Sequence, residues 1–450
     1  MASAHINRAP TVAGSERKMT ISVWLKRGKM AGSPINGAIW SSGSNTSNYT
    51  ELNFNDADRL EFVSKVSGSY VMRKITEKVF RDPTAWYHIV ANIDTEESVA
   101  NDRNQLWVNG VRYTGAWDTD TDVGLNDDLS MNGTSDSQRW GRDKAGTGYW
   151  SGVMSHFHYI DGTAYGASTF GETDSTSGEW KILTSPTVTY GTNGLFFKFE
   201  DSSNMDLDSG TNGFTSFGGG GTISPTVDNP SNNFSTMNPL CKGDNAYTNA
   251  NLTATTDSSN WNSATSTLCA GAGKWYMEYK WNATGGVNFG IADARSISLF
   301  GDGEMGYNPT DSIGDSVGWY NGGSDVKKNG SAYYSADTFS AGDIISIALD
   351  CDNGAVYFRK NGAAWQNSGD PTSGATRTGA VEITTGETYF FGGTTYTSGC
   401  NISANYGNGY FGTTDVTSAV ADGDGIGRFE YAPPTGYYTL CTKNIKAYGG

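Results

Sequence analysis

Carboxylates at every second position could hold a hard cation, and the run Asp118-Thr119-Asp120-Thr121-Asp122 supplies three of them. In an extended backbone alternate side chains share a face, and oxygen ligands of that kind suit Ca²⁺. An EF-hand loop is excluded: the turn position that needs glycine is Val123, and the closing position that needs glutamate is Leu129. Asp118, Asp120 and Asp122 are thus a candidate calcium site, with a solvated acidic loop as the other reading.

Other chemistry has less to work with. Glu96-Glu97 and Asp127-Asp128 are adjacent pairs in turn-like contexts, and on a strand the two members would point to opposite faces, which does not suit paired acid and base work. His156 and His158 would project from one face of a strand and could bind a metal, although Met154 to Tyr159 also reads as a plain strand without an acidic or cysteine cluster. There is no P-loop, and without a helical period there is no strand-to-helix context for a G-x-S-x-G elbow or a dinucleotide fingerprint. The remaining handle is aromatic. Trp319, Tyr320 and Asn321 before two glycines, Trp365, and Tyr396 lie in turn-rich stretches, and their faces suit sugar rings or protein partners. Trp319 reads equally as a core residue at a strand end.

Such residues need strands to position them. Residues 338–362 spell an antiparallel ribbon: Ile345, Ile347 and Leu349 share one face, and after the turn at Asp352-Asn353-Gly354, Val356 and Phe358 share the matching one. Earlier in the chain come strand patterns at 38–40, 50–54, 59–63 and 86–93. Gln105 to Val108 then turns through Asn109-Gly110, the strongest short hairpin signal, into Val111 to Tyr113.

Composition agrees, with 59 Gly, 24 Tyr, 19 Phe and 13 Trp, only 17% charged residues and no sustained helical period. A chain of 450 residues fits two cores of roughly 200 residues each. The expected fold is all-β, two antiparallel β-sandwich (jelly-roll) domains in tandem over residues 1–200 and 246–429. Residues 201–245 read as a Gly/Pro/Asn-rich linker, flexible around Gly218 to Gly221 and more ordered at Asp228 to Leu240, and residues 430–450 as a C-terminal docking tail that packs back or meets a neighbour.

The formal charge of −16 argues against nucleic acid and an anionic membrane surface, both of which require a basic footprint. Five scattered cysteines form neither a disulfide framework nor a zinc site, and Cys351 reads as a small buried hydrophobe. The N-terminal MASAHINRAP carries no apolar secretion signal, and no 18 apolar residues run together. The N-x-S/T triplets at Asn48, Asn132 and Asn251 are what a chain this rich in Asn, Ser and Thr produces by chance.

Several of these words resemble known families. ISVWLKRG, WYHIVANID, LWVNGVRY and SGVMSHFHYIDG are similar to the laminin-G/pentraxin branch of the concanavalin A-like lectin sandwiches. That likeness implies calcium held in rim loops. Glucanases of the same fold carry an E-x-D-x-E strand that has no counterpart here. GKWYMEYKW, FGIAD, the 338–362 hairpin and SANYG resemble SPRY (B30.2-like) domains, which are binding modules without catalytic groups. On that resemblance Trp319, Tyr320, Asn321, Trp365 and Tyr396 would line the ligand-binding loop surface.

The order of these parts, with the connector GTNGLFFKFEDSSN, then DNPSNNFSTMNPL and the ending PPTGYYTLCTKNI, resembles structural proteins of marine bacteriophages, including cyanophages. It implies a non-enzymatic virion-surface protein made in the host cytoplasm, a capsid decoration or tail-fibre component needing no cofactor beyond Ca²⁺. Its partners would be other virion proteins, further copies of itself in a homo-oligomer such as a trimer, and host-surface polysaccharide. The alternatives are a polysaccharide depolymerase on the virion and a secreted bacterial adhesin.

Overall fold

The computed structural model describes residues 4–30, 37–241, 243–283, 285–295, 303–307 and 314–449. Antiparallel strands dominate, and the chain divides into two units, Met1–Pro225 and Thr226–Gly450. Each is a β-sandwich.

In the first unit an eight-stranded sheet runs in the spatial order Trp117–Thr121, Ser69–Val79, Arg59–Val66, Asn48–Phe54, Ala38–Asn45, Gln138–Trp140, His5–Arg8 and Gly218–Gly220. A six-stranded sheet faces it, ordered Leu195–Phe197, Gly152–Asp161, Lys18–Arg27, Trp86–Asp94, Asn104–Val108 and Val111–Arg112. Alternation explains the core. Ile21, Val23 and Leu25 from one sheet meet Trp40, Leu52, Phe62 and Met72 from the other, all wholly buried. The Asn109-Gly110 turn forms as expected, both residues having positive φ, 48° and 80°. Behind the six-stranded sheet a second apolar layer of Val90, Ile160, Phe170, Tyr190 and Phe196 is closed by the chain between 165 and 190.

The second unit repeats the plan. One sheet runs Asn245–Thr248, Thr253–Thr256, Asn401–Asn405, Lys274–Trp281, Ile344–Asp350, Ala355–Lys360 and Val381–Glu382. The other runs Asn262–Thr265, Tyr389–Tyr396, Gly286–Asp293, Ser316–Tyr320, Asp325–Lys328 and Ser331–Ser335. The expected hairpin is in register, Ile347 opposite Phe358 and Leu349 opposite Val356, and these four residues lie in the core.

One segment differs from expectation. The glycine run is no flexible linker: Gly218–Gly220 pairs with His5, Ile6 and Asn7 as the last strand of the eight-stranded sheet. Glycine has no side chain to alternate, so periodicity cannot reveal such a strand, and the rest of the presumed linker is shared between the units. Phe234 and Met237 are buried in the second unit, where Met237 bridges Ser266.

The C-terminal stretch packs on the strands of its own unit. Tyr438–Thr439 pairs in parallel with Trp275 and Tyr276, alongside the strand whose farther end, Glu278 to Trp281, pairs with Asn401–Asn405. Tyr437, Leu440 and Cys441 are fully buried, and a short helix, Thr442–Tyr448, ends the element order. This segment closes the outer face of its sheet, with Phe429 and Tyr437 packed on Tyr276, Ala348 and Tyr357.

Candidate functional site

On the second sheet of the second unit, Val287, Phe289 and Trp319 point into the core, so Gly286, Asn288 and Tyr320 point outward. Gly286 stands opposite Tyr396, and Asn262 opposite Thr395, which brings Trp261 beside Tyr396 at the end of the sheet. The ring centroids of Trp261 lie 4.9 Å from Tyr396 and 5.7 Å from Tyr320. Gly286 makes room for this cluster: a Cβ there would come 2.9 Å from the Trp261 ring and 3.2 Å from the Tyr396 Cβ. The Lys327 ammonium lies 5.6 Å from the Tyr320 ring and 4.5 Å from that of Tyr307.

The floor next to the rings is polar. The Asn288 amide donates to Glu304 Oε1 at 3.1 Å and to the Met305 carbonyl, while its Oδ1 is buried without a partner. Burial pushes the Glu304 carboxyl above the usual range. Segment 303–307 is fastened over the sheet: Ser263 donates to the Gly303 carbonyl at 2.6 Å, and the Met305 N–H donates to Thr394 Oγ1 at 3.0 Å. The Met305 side chain fills the space that a side chain at Gly392 would need. The arrangement is a rigid aromatic platform edged by amide, lysine and carboxyl groups, suited to stacking and hydrogen bonding.

The five residues expected to share a ligand surface are not together. Tyr320 and Tyr396 meet through Trp261, and Tyr396 is 38% exposed. Trp319 is corrected: it is wholly buried between Phe339 and Phe358, and its indole N–H donates to the Asp337 carbonyl at 3.2 Å. Strand alternation places it one residue out of step with the surface. Asn321 spends its side chain on the backbone, accepting from Val287 N–H at 2.8 Å. Trp365 lies elsewhere, its ring beside Tyr357 and under the Arg359 guanidinium at 4.7 Å, in the layer outside the opposite sheet. Trp261 was not singled out by sequence reasoning; its signal was Asn260-Trp261-Asn262, an aromatic between amides at the entrance to a strand.

In the first unit the three aspartates are engaged with cations. Asp118 pairs with Arg59, while Asp120 and Asp122 both pair with Lys74, whose side chain is 4% exposed. A register shift between Trp117 and Thr119 breaks the alternation that would align all three. Among the described residues, no group of three or more His, Cys, Asp or Glu side chains is placed to hold a metal.

The paired acids are likewise occupied. Glu96 salt-bridges Lys18, Asp128 binds Arg17, Glu97 caps the turn at Val99, and Asp127 accepts from Gly124 N–H. A bulge between Ser155 and His158 separates the two histidines. His158 bonds Tyr190 at 2.9 Å and stacks on Phe196, whereas His156 has a positive φ of 49° and bonds Ser155. Burial depresses both imidazoles' pKa values. Asn132 and Asn251 are buried, at 0% and 1% exposure.

No family model matches the chain, and no curated protein matches it. Among solved structures, it is similar to the SPRY domain of human HERC1, at 14% identity over 37% of this chain and 96% of that one, with a TM-score of 0.30. It is similar also to the TRIM65 PSpry domain, at 11% identity over 38% of this chain and 91% of that one, TM-score 0.26. A third is the native heptameric SAP-like pentraxin from Limulus polyphemus, at 16% identity over 43% of this chain and 88% of that one, TM-score 0.28. Likeness at these identities concerns the fold, and the two-sandwich architecture rests on the chain's own strand pairings.

Proposed function

We propose that the chain is a non-enzymatic component of a bacteriophage virion surface, a decoration or tail-surface protein that binds neighbouring virion proteins and host-surface glycans. The observation that carries the binding role is the platform of Trp261, Tyr396 and Tyr320 on the end of a packed sheet, where rings are held by the scaffold and lose little freedom on binding. The occupied state of the adjacent acid pairs supports recognition over hydrolysis, which would need two carboxylates facing one bond. Phage origin and assembly with further copies, such as a trimer, rest on the sequence resemblance.

The test is retention of the purified chain on a panel of bacterial surface polysaccharides, with and without Ca²⁺, while reducing ends are assayed. Saturable retention without release of reducing ends is the expected result. Release that survives further purification would replace this reading with a depolymerase, and no retention on any polysaccharide would remove the glycan-binding role.

A further inference from the structure

The outer face of the eight-stranded sheet in the first unit carries a group of cations without ion pairs among the described residues, Asp136 and Asp143 being its nearby acids, in a chain of formal charge −16. Across that face Asn7, Arg139, Ser41 and Glu51 stand in one register row. Arg142 and Lys144 follow on the next loop and are tied to the same strand: Ser41 Oγ donates to the Arg142 carbonyl at 2.8 Å, and Lys144 Nζ donates to the Gly43 carbonyl at 2.6 Å.

Several cations elsewhere in this unit are matched by carboxylates. Arg27 and Arg81 hold Asp58, Arg59 holds Asp118, Arg73 holds Glu61 and Lys74 holds two aspartates. Among the described residues, no carboxylate lies within 4.0 Å of the charged ends of Arg139, Arg142 or Lys144.

Their hydrogen bonds go to neutral groups: Arg139 to the Ser137 carbonyl at 2.6 Å, and Arg142 toward the His5 ring at 3.5 Å. Arg142 Nε is buried without a partner. Burial, then repulsion from Arg139, lowers the Lys144 ammonium to about 8; Asp136 opposes this and Arg142 adds to it. Beside this group Asn53, 2% exposed, keeps Oδ1 unpartnered while its amide donates to Glu51 at 2.8 Å. Clustered like charges are costly to maintain, and an oxyanion placed among them would relieve the repulsion while satisfying the free guanidinium N–H groups.

We propose that Arg139, Arg142 and Lys144 form a binding site for the oxyanion of an acidic glycan, a carboxylate or a sulfate ester, on the outer face of the eight-stranded sheet. A glycan is favoured by the neighbouring register row, where Gly43, Tyr49, Lys65 and Tyr70 follow one another across strands and Lys65 lies 4.2 Å from the Tyr70 ring. Tyr70 is 44% exposed. Nucleic acid, with a phosphate charge about every 1.7 Å of duplex, suffers far more from a net charge of −16 than a glycan bearing sparse charges. The site is independent of the aromatic platform in the second unit.

The test uses the full chain with dextran sulfate, polygalacturonate, neutral dextran and a single-stranded DNA oligonucleotide. Binding isotherms are measured, together with the rate of Lys144 acetylation read by mass spectrometry. The acidic polysaccharides are expected to bind and to slow Lys144 acetylation at least fivefold, whereas neutral dextran and the oligonucleotide do neither. Protection by only one acidic polymer upholds the site and names its source as sulfate or carboxylate. Arg139→Gln should weaken binding at least tenfold while raising the Tm of the free protein, because it removes repulsion. Equal binding of neutral dextran, tighter binding of the oligonucleotide, unprotected Lys144 in the unmodified chain or unchanged affinity of Arg139→Gln each overturns the proposal.

Discussion

Lys74 Nζ lies 2.6 Å from an Asp122 carboxylate oxygen and also pairs with Asp120, so one nearly buried ammonium occupies two of the three carboxylates that could have held calcium. Any calcium ion there must compete with a fixed positive charge. The Tm of the chain is therefore expected to be unchanged by EDTA or by millimolar Ca²⁺. Lys74→Met should free the aspartates and create a calcium-dependent Tm, and a rise in Tm with Ca²⁺ in the unmodified chain would contradict the assignment.

Glu278 holds the C-terminal segment in place. Its carboxylate accepts from the N–H groups of Glu430 and Tyr431 at 2.9 and 2.8 Å, from the Tyr276 hydroxyl and from the Asn405 amide. Replacing it with Ala leaves these buried donors without an acceptor, at a cost of about 3 to 5 kcal/mol. Limited proteolysis should then cut within 428–441, a region protected in the unmodified chain. Unaltered protease resistance would count against this role.

Glu51, 4% exposed, is pushed up to about 7 from 4.5, chiefly by burial. Because the folded-state value is the higher one, the folded chain binds more protons between those limits. Its stability contribution is complete below about 4.5 and is lost as the pH rises through 7. His88 acts in the opposite sense: burial depresses it from 6.5 to about 3, so its contribution is present above 6.5 and lost as the pH falls toward 3. Glu51→Gln should remove a downward slope of up to about 3 kcal/mol between pH 4.5 and 7 in urea unfolding. Parallel profiles for the two proteins would refute the shift.

Gly219 lies against the first strand, and a Cβ there would come 2.2 Å from the His5 carbonyl oxygen. Gly219→Val is expected to detach Gly218–Gly220 and to expose the amides of 5–7 to hydrogen exchange, at a cost of about 1 to 3 kcal/mol. Unchanged exchange would restore the picture of a flexible linker.

Strands with side chains that alternate were legible in the sequence, as Ile347 and Leu349 opposite Phe358 and Val356 illustrate. Four features were not. Gly218–Gly220 has no side chains to carry a period, and the last twenty residues are recruited by long-range pairing with Trp275 and Tyr276 that no local pattern encodes. Trp319 and Tyr320 are consecutive, so a strand sends one inward and one outward, and only the register with Phe289 and Asn288 decides which. Trp261 escaped notice because its partners Tyr320 and Tyr396 are 59 and 135 residues away.

The most direct test of the binding role is the affinity of Trp261→Ala and Tyr396→Ala for whichever polysaccharide retains the unmodified chain. Both side chains lie at the surface end of the sheet, so each variant should keep its Tm within a few degrees while losing roughly thirtyfold in affinity, about 2 kcal/mol. Undiminished affinity in both variants, with the fold intact, would contradict a binding platform built on Trp261, Tyr320 and Tyr396.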